Sequence, residues 1–271
     1  MSYTIALAGK GGTGKTTVAA LTMRFIMEEL GVSVFGVDAD PNASLAVALG
    51  LDCEKTVSDI REDIVDKKLD FPAGMSKERY IEYNIEGCLI ENSKFDLLVM
   101  GRPEGPGCYC YVNNLLRKYL DKMGKEYPFV VIDNEAGMEH MSRRTTNRVD
   151  LMLIVFEPTV IGAITARRIL DLSKKLPLSI KEKRLVLNRV PKDGVNEKIS
   201  KRLEDENLSP ELLLGFDAEI LEASSSDTSL LNISKDNPTY MALSGFLRQH
   251  LTAGVTSEVW YYSVLYGTRH V

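Results

Sequence analysis

A glycine-rich run, Gly9-Lys10-Gly11-Gly12-Thr13-Gly14-Lys15-Thr16-Thr17, follows the short apolar segment Thr4 to Ala8 and leads into the helix-forming stretch Thr16 to Leu30. Gly9, Gly14, Lys15 and Thr16 fall in the register G-x-x-x-x-G-K-[ST] of a phosphate-binding loop. Set between a strand and a helix N-terminus, such a loop turns its backbone N–H groups toward phosphate oxygens. Gly11, Gly12 and Gly14 let the backbone come close without a Cβ in the way. Lys15 can reach the β- and γ-phosphates and the Thr16 hydroxyl suits Mg²⁺, with Thr13 and Thr17 completing the cradle.

The rest of the chain repeats the rhythm that this loop requires. Apolar runs at Val32 to Val37, Phe95 to Met100, Phe129 to Ile132, Leu151 to Val155 and Arg184 to Leu187 alternate with helical patterns at Asn113 to Lys122, Ile161 to Lys175 and Asn196 to Asp205. A weaker last strand is expected at Leu212 to Phe216. Alternating strands and helices, with strands apolar on both faces, predict an α/β fold: a mostly parallel central sheet flanked by helices. At 271 residues and 44% hydrophobic, the chain can bury one large core. Residues 1–251 are expected to form one P-loop domain. Residues 252–271 form a C-terminal tail that could pack on the body, pair as an edge strand or be a non-native extension. The charge-rich stretch Cys53 to Asn92 is expected to be a solvated surface excursion of short helices.

Charge and hydropathy narrow the partners. The formal net charge of −5 gives no footprint for nucleic acid or anionic lipid. No stretch approaches the roughly 20 apolar residues of a membrane-spanning helix. With no leader-like segment before the first strand, a cytoplasmic protein is expected. Its four cysteines are then expected to be thiols, with Cys53 and Cys88 structural.

Acidic residues at strand ends add to the phosphate site. Asp38-Ala39-Asp40-Pro41-Asn42 ends the second strand, at the edge where parallel α/β sheets bind ligands. Asp40 and Asp38 are expected to face that crevice, Asp38 near Mg²⁺ or its water shell. Phe129-Val-Val-Ile-Asp133 is an apolar strand ending in an acid, the arrangement that supports Mg²⁺. Gly137, just beyond, is expected to offer a backbone N–H to the γ-phosphate, so that residues 133–142 order while that phosphate is present.

With Lys10 placed after the first glycine, the sequence resembles the deviant Walker A ATPases of the SIMIBI class, the group that includes MinD, ParA and the nitrogenase iron protein. The resemblance implies ATP hydrolysis to ADP and phosphate by a sandwich homodimer, with Lys10 crossing the interface to the partner's nucleotide. It also implies that Asp40 orients the attacking water, that Asn188 meets the purine amide edge, and that Phe216 and Asp217 form a second base-side loop. By residue type alone, Lys10 is one more cation beside the phosphates. Asn188-Arg-Val-Pro lacks the aspartate of a guanine site, which together with the resemblance favours ATP.

A loop rich in Gly and Pro, Gly101 to Gly107, carries Cys108-Tyr109-Cys110 into a helix. A helix N-terminus favours thiolate. Two sulfurs cannot complete a tetrahedral site, but a two-fold dimer supplies four, suited to Zn²⁺ or another thiophilic metal. The alternative is a pair of small buried hydrophobes. With this loop the sequence resembles the CooC-type ATPases, maturation factors of nickel carbon monoxide dehydrogenase and acetyl-CoA synthase. That likeness implies Ni²⁺ handling, with a nickel enzyme as client. An iron–sulfur cluster of the nitrogenase type is not expected, because Asn134 and Glu135 stand where a second cysteine is needed. The competing function, a positioning or partitioning ATPase, needs a lipid- or DNA-binding surface. Residues 252–271 contain Arg269 and no lysine, unlike a basic membrane helix.

Overall fold

Each expected strand forms, and together they build one sheet. In a computed structural model, residues 2–60, 75–101, 110–135, 148–176, 178–226 and 228–251 are described. The strands are β1 (Tyr3–Gly9), β2 (Val34–Ala39), β3 (Leu89–Glu91), β4 (Phe95–Val99), β5 (Phe129–Asn134), β6 (Arg148–Phe156), β7 (Ser179–Val190) and β8 (Leu212–Gly215). The helices are α1 (Lys15–Glu28), α2 (Ser44–Ala48), α3 (Lys77–Glu86), α4 (Cys110–Glu126), α5 (Val160–Ser173), α6 (Glu197–Asp205), α7 (Ala218–Ser225) and α8 (Pro238–Leu251), with a 3-10 turn at Leu230–Asn232.

The strand order is β3-β4-β2-β5-β1-β6-β7-β8. All neighbours are parallel except β3, which runs antiparallel to β4 at the edge. Alternate side chains of each strand enter two separate cores, as a period of two dictates. Ile5 and Leu7 of β1 pack with α1 and α8, whereas Ala6 and Ala8 pack in the layer of α3 to α6. Both faces are therefore covered, which is why the strands read as almost continuous apolar runs.

One expectation is corrected. Between Cys53 and Asn92 the described residues are not merely a solvated excursion: Val57, Ile60, Ile81, Ile85 and Cys88 all lie in the core. Ile81 and Ile85 are one helical turn apart and fully buried, so a single apolar stripe docks α3 on the sheet. Burial also pushes the Cys88 thiol up to about 11, leaving it a small core hydrophobe. Among the described residues, no helix is long and apolar enough to cross a membrane. The tail, 252–271, lies outside the described residues.

Candidate functional site

The register of the sheet assembles the site. Leu7 of β1 pairs with Asp133 of β5, and Asp133 pairs on its other side with Asp38 of β2, so the loop after β1 emerges beside both acids. β2 and β6 leave β1 in opposite directions along the sheet, creating a crevice at the C-terminal strand edge. There lies a cleft of about 460 Å³, with Gly11, Gly12, Gly14, Lys15, Thr16 and Asp40 in its wall. Pro41, Asn42, Ser44, Glu135 and Arg189 complete it.

Gly14 caps α1 in the left-handed region, φ 93°, and supplies no side-chain cap. The N–H groups of the first turn are thus left for an acceptor from outside the helix. Lys15 is buried, with its Nζ 3.2 Å from the Lys10 carbonyl. Burial lowers the Lys15 ammonium, while Asp133, Asp40 and Glu135 oppose that shift. Lys10 itself is exposed. Below the loop, the Thr16 hydroxyl donates to Asp133 Oδ2 at 2.6 Å, and Asp133 Oδ1 is buried with no hydrogen-bond partner among the described residues. A hydroxyl and a carboxylate with a spare oxygen form a hard oxygen donor set, which fits Mg²⁺.

The aspartates of the second strand divide their tasks. Asp38 is fully buried, and it accepts from the N–H groups of Asp40 at 3.1 Å, Leu45 at 2.8 Å and Ala46 at 3.1 Å. Its carboxyl ties β2 to α2 and is absent from the cleft wall. Asp40 lines the cleft and is braced by Asn42 N–H at 2.8 Å and the Ser44 hydroxyl at 3.3 Å.

On the far side, the Asn188 amide donates to the Thr13 carbonyl at 2.8 Å. Arg189, which sequence reading does not single out, donates to the Gly12 carbonyl at 2.9 Å and pairs with Glu157 at 2.6 Å. The Asp217 oxygens cap α7 at Ile220 N–H and accept from Asn237 and Thr239. Burial alone would raise its carboxyl, but these donors hold it below the usual range. Phe216 is exposed, beyond β8. Gly137 and Cys108 lie outside the described residues, as does the side chain of Cys110, whose backbone opens α4. Among the described residues no group of three or more His, Cys, Asp or Glu side chains could hold a metal ion.

Burial raises Asp133 to about 7 and Asp38 to about 6, and the negative charges of Asp38 and Asp40 add to the rise at Asp133 while that of Asp40 adds to the rise at Asp38. Between pH 4 and these values the folded chain keeps protons that an unfolded chain has released. The associated stability is complete below pH 4 and is lost as pH rises through 6 and 7. From pH 5 to 8, where ordinary carboxylates no longer titrate, the nucleotide-free protein is expected to lose about 4 kcal/mol, roughly 10 °C in Tm. Asp133→Asn should flatten that slope in calorimetric melts. A Tm that rises over the same interval in wild type would contradict the burial argument.

Comparison with known proteins agrees with this geometry. Residues 4–230 match the CobQ/CobB/MinD/ParA nucleotide binding domain. An uncharacterised ATP-binding protein of Methanocaldococcus jannaschii is 42% identical over 240 residues, covering 87% of this chain and 93% of the relative. The carbon monoxide dehydrogenase accessory protein CooC of Rhodospirillum rubrum is 33% identical over 190 residues, 64% of this chain and 69% of its own length. The crystal structure of the Pyrococcus furiosus cell division ATPase MinD superposes with a TM-score of 0.65, spanning 93% of this chain and 100% of that one. At 19% identity that likeness concerns the fold alone. A mostly parallel sheet with a glycine loop at its C-terminal edge, and a match over most of the chain, place this protein in the CobQ/CobB/MinD/ParA family of nucleotide-binding P-loop proteins.

Proposed function

We propose that this chain hydrolyses ATP to ADP and phosphate and uses the cycle to insert a metal into a nickel enzyme, carbon monoxide dehydrogenase or acetyl-CoA synthase. The hydrolytic half is supported by the Thr16 hydroxyl held on Asp133 beneath the loop, beside Lys15 and across the cleft from Asp40. Backbone N–H groups of residues 11–17 would bind the phosphates, and Lys15 would neutralise the oxygens on which charge develops. Asp40, held by Asn42 and Ser44, would accept a hydrogen bond from the attacking water and so orient it. Thr16 and Asp133 would hold Mg²⁺, which supplies further charge neutralisation at the phosphates. Asn188, fixed to the loop by its amide, would turn its side-chain oxygen to the purine amino group, with Phe216 near the base.

The client half is supported by the likeness to CooC and by the Cys108-Tyr109-Cys110 sequence. In this reading two copies close around triphosphate, each Lys10 reaches the other's nucleotide, and four thiolates meet to carry Ni²⁺ or Zn²⁺ as cargo. The test is a metal titration of wild type and of the Cys108→Ala/Cys110→Ala double variant, with the oligomeric state followed with and without ATP. Wild type is expected to bind about one metal ion per two chains, and the double variant none, while its ATP turnover persists. Metal binding that survives the double substitution, or a wild type that stays monomeric with ATP, would refute the insertion reading.

A further inference from the structure

The phosphate loop is fastened at both ends to two consecutive residues of one strand. At its exit, the Thr16 hydroxyl donates to Asp133 Oδ2 at 2.6 Å. At its entry, the side-chain amide of Asn134 donates at 2.8 Å to the carbonyl of Leu7, two residues before Gly9. Side chains alternate along β5, so Val131 and Asp133 point toward α1 while Ile132 and Asn134 point to the opposite face of the sheet. The end of β5 is therefore held from both faces, by α1 through one residue and by β1 through the next. The pairing of β5 with β1 runs from Phe129 opposite Tyr3 to Asp133 opposite Leu7, and Asn134 lies one residue beyond it, opposite Ala39 of β2. Its amide adds a further tie to β1 just before the chain turns into the loop.

This tie costs stability. Asn134 is 1% exposed, and its Oδ1 is buried with no hydrogen-bond partner among the described residues. Ile132, two residues earlier on the same face, packs in an apolar core, and a leucine at 134 would fill a similar volume without burying an unpaired acceptor. Unpaired buried polar groups call for a functional explanation, because stability alone would remove them. What asparagine supplies, and leucine cannot, is a donor to the Leu7 carbonyl. Aspartate cannot supply it either, since a carboxylate has no donor and would stand beside the buried Asp133.

We propose that Asn134 is a positioning residue for the metal: by pinning the strand that enters the loop to the strand that carries Asp133, it keeps the Asp133 carboxylate and the Thr16 hydroxyl at the separation at which they take Mg²⁺ with a bound nucleotide. The inference rests on the reading of Thr16 and Asp133 as the Mg²⁺ donors. Groups that hold metal ligands in place govern metal affinity by about tenfold or more.

The test is calorimetric titration of the full chain with a non-hydrolysable ATP analogue, once in excess Mg²⁺ and once in EDTA, so that the ratio of affinities reads the metal and not turnover. Asn134→Leu should fold and melt within a few degrees of wild type, because removal of the unpaired oxygen offsets the lost hydrogen bond. Its affinity in EDTA should match wild type, while the gain conferred by Mg²⁺ should shrink about tenfold. Asn134→Ala, which deletes the amide without filling its place, should lose as much of the gain, and it decides the matter if the leucine variant does not fold. Asp133→Asn should remove most of the gain, and adding Asn134→Leu to it should change the remainder by less than about twofold.

An amide with a structural role alone predicts the reverse pattern, a large fall in Tm with the Mg²⁺ gain intact. The proposal is overturned by a full gain in either Asn134 variant, by equal losses with and without the metal, or by additive losses in the double variant. A wild type that gains nothing from Mg²⁺, or an Asp133→Asn variant that keeps the full gain, would overturn the reading of the metal donors and this inference with it.

Discussion

Lys15→Ala is expected to lower ATP turnover by about two to three orders of magnitude while the chain stays folded. The ammonium is the buried cation of the cleft, and Asp133, Asp40 and Glu135 all act on it. Its removal takes away the charge that would offset the phosphates, and it leaves three acids facing whatever negative ligand enters. The fold should survive because the Lys10 carbonyl, which accepts from Lys15, also accepts from the Thr13 hydroxyl at 2.9 Å. No buried carbonyl is orphaned, so the usual large cost of such a deletion is not incurred. Phosphate release measured beside a thermal melt separates the two effects. Turnover above a tenth of wild type in a normally melting variant would mean that another group neutralises the phosphates.

What could be read from the chain alone divides along physical lines. β1, β5 and β6 are legible because strands buried on both faces must be apolar throughout, and a short apolar run bounded by glycine or acid has few other uses. The loop at Gly9 to Thr17 is legible because its constraints are local: each glycine and the Lys-Thr pair serve neighbours in sequence. By contrast, α3 hides its role, since two isoleucines among charged residues suffice to dock it, and composition averages them away. Asp38 and Asp217 show a second limit. Asp38 reads as a strand-end acid beside the cleft and Asp217 as part of a base-side loop, yet only the three-dimensional partners reveal that the Asp38 carboxyl accepts from first-turn N–H groups of α2 and that Asp217 caps α7. Arg189 is invisible for a further reason: its place depends on a bulge created by pairing with β8, some two dozen residues later in the chain.

Gly14→Ala is expected to be strongly damaging. The position has φ 93°, and a Cβ there would lie 2.2 Å from Asn188 Nδ2. Two costs therefore combine. The left-handed backbone penalises alanine by about 1–2 kcal/mol. Relief of the overlap must drive Asn188 off the Thr13 carbonyl, losing a 2.8 Å hydrogen bond in a buried setting, about another 1–3 kcal/mol. A fall in Tm of roughly 5–15 °C follows for a chain of this size, together with loss of measurable nucleotide binding, since the cap residue of α1 sets the direction of the cradle. The two causes can be separated with Asn188→Ala. That substitution alone should destabilise by about 1–2 kcal/mol, yet combined with Gly14→Ala it should add almost nothing, because the overlap and the hydrogen bond have already gone. Additive losses in the double variant would show that the damage comes from the backbone alone and that the Asn188 hydrogen bond survives the added methyl.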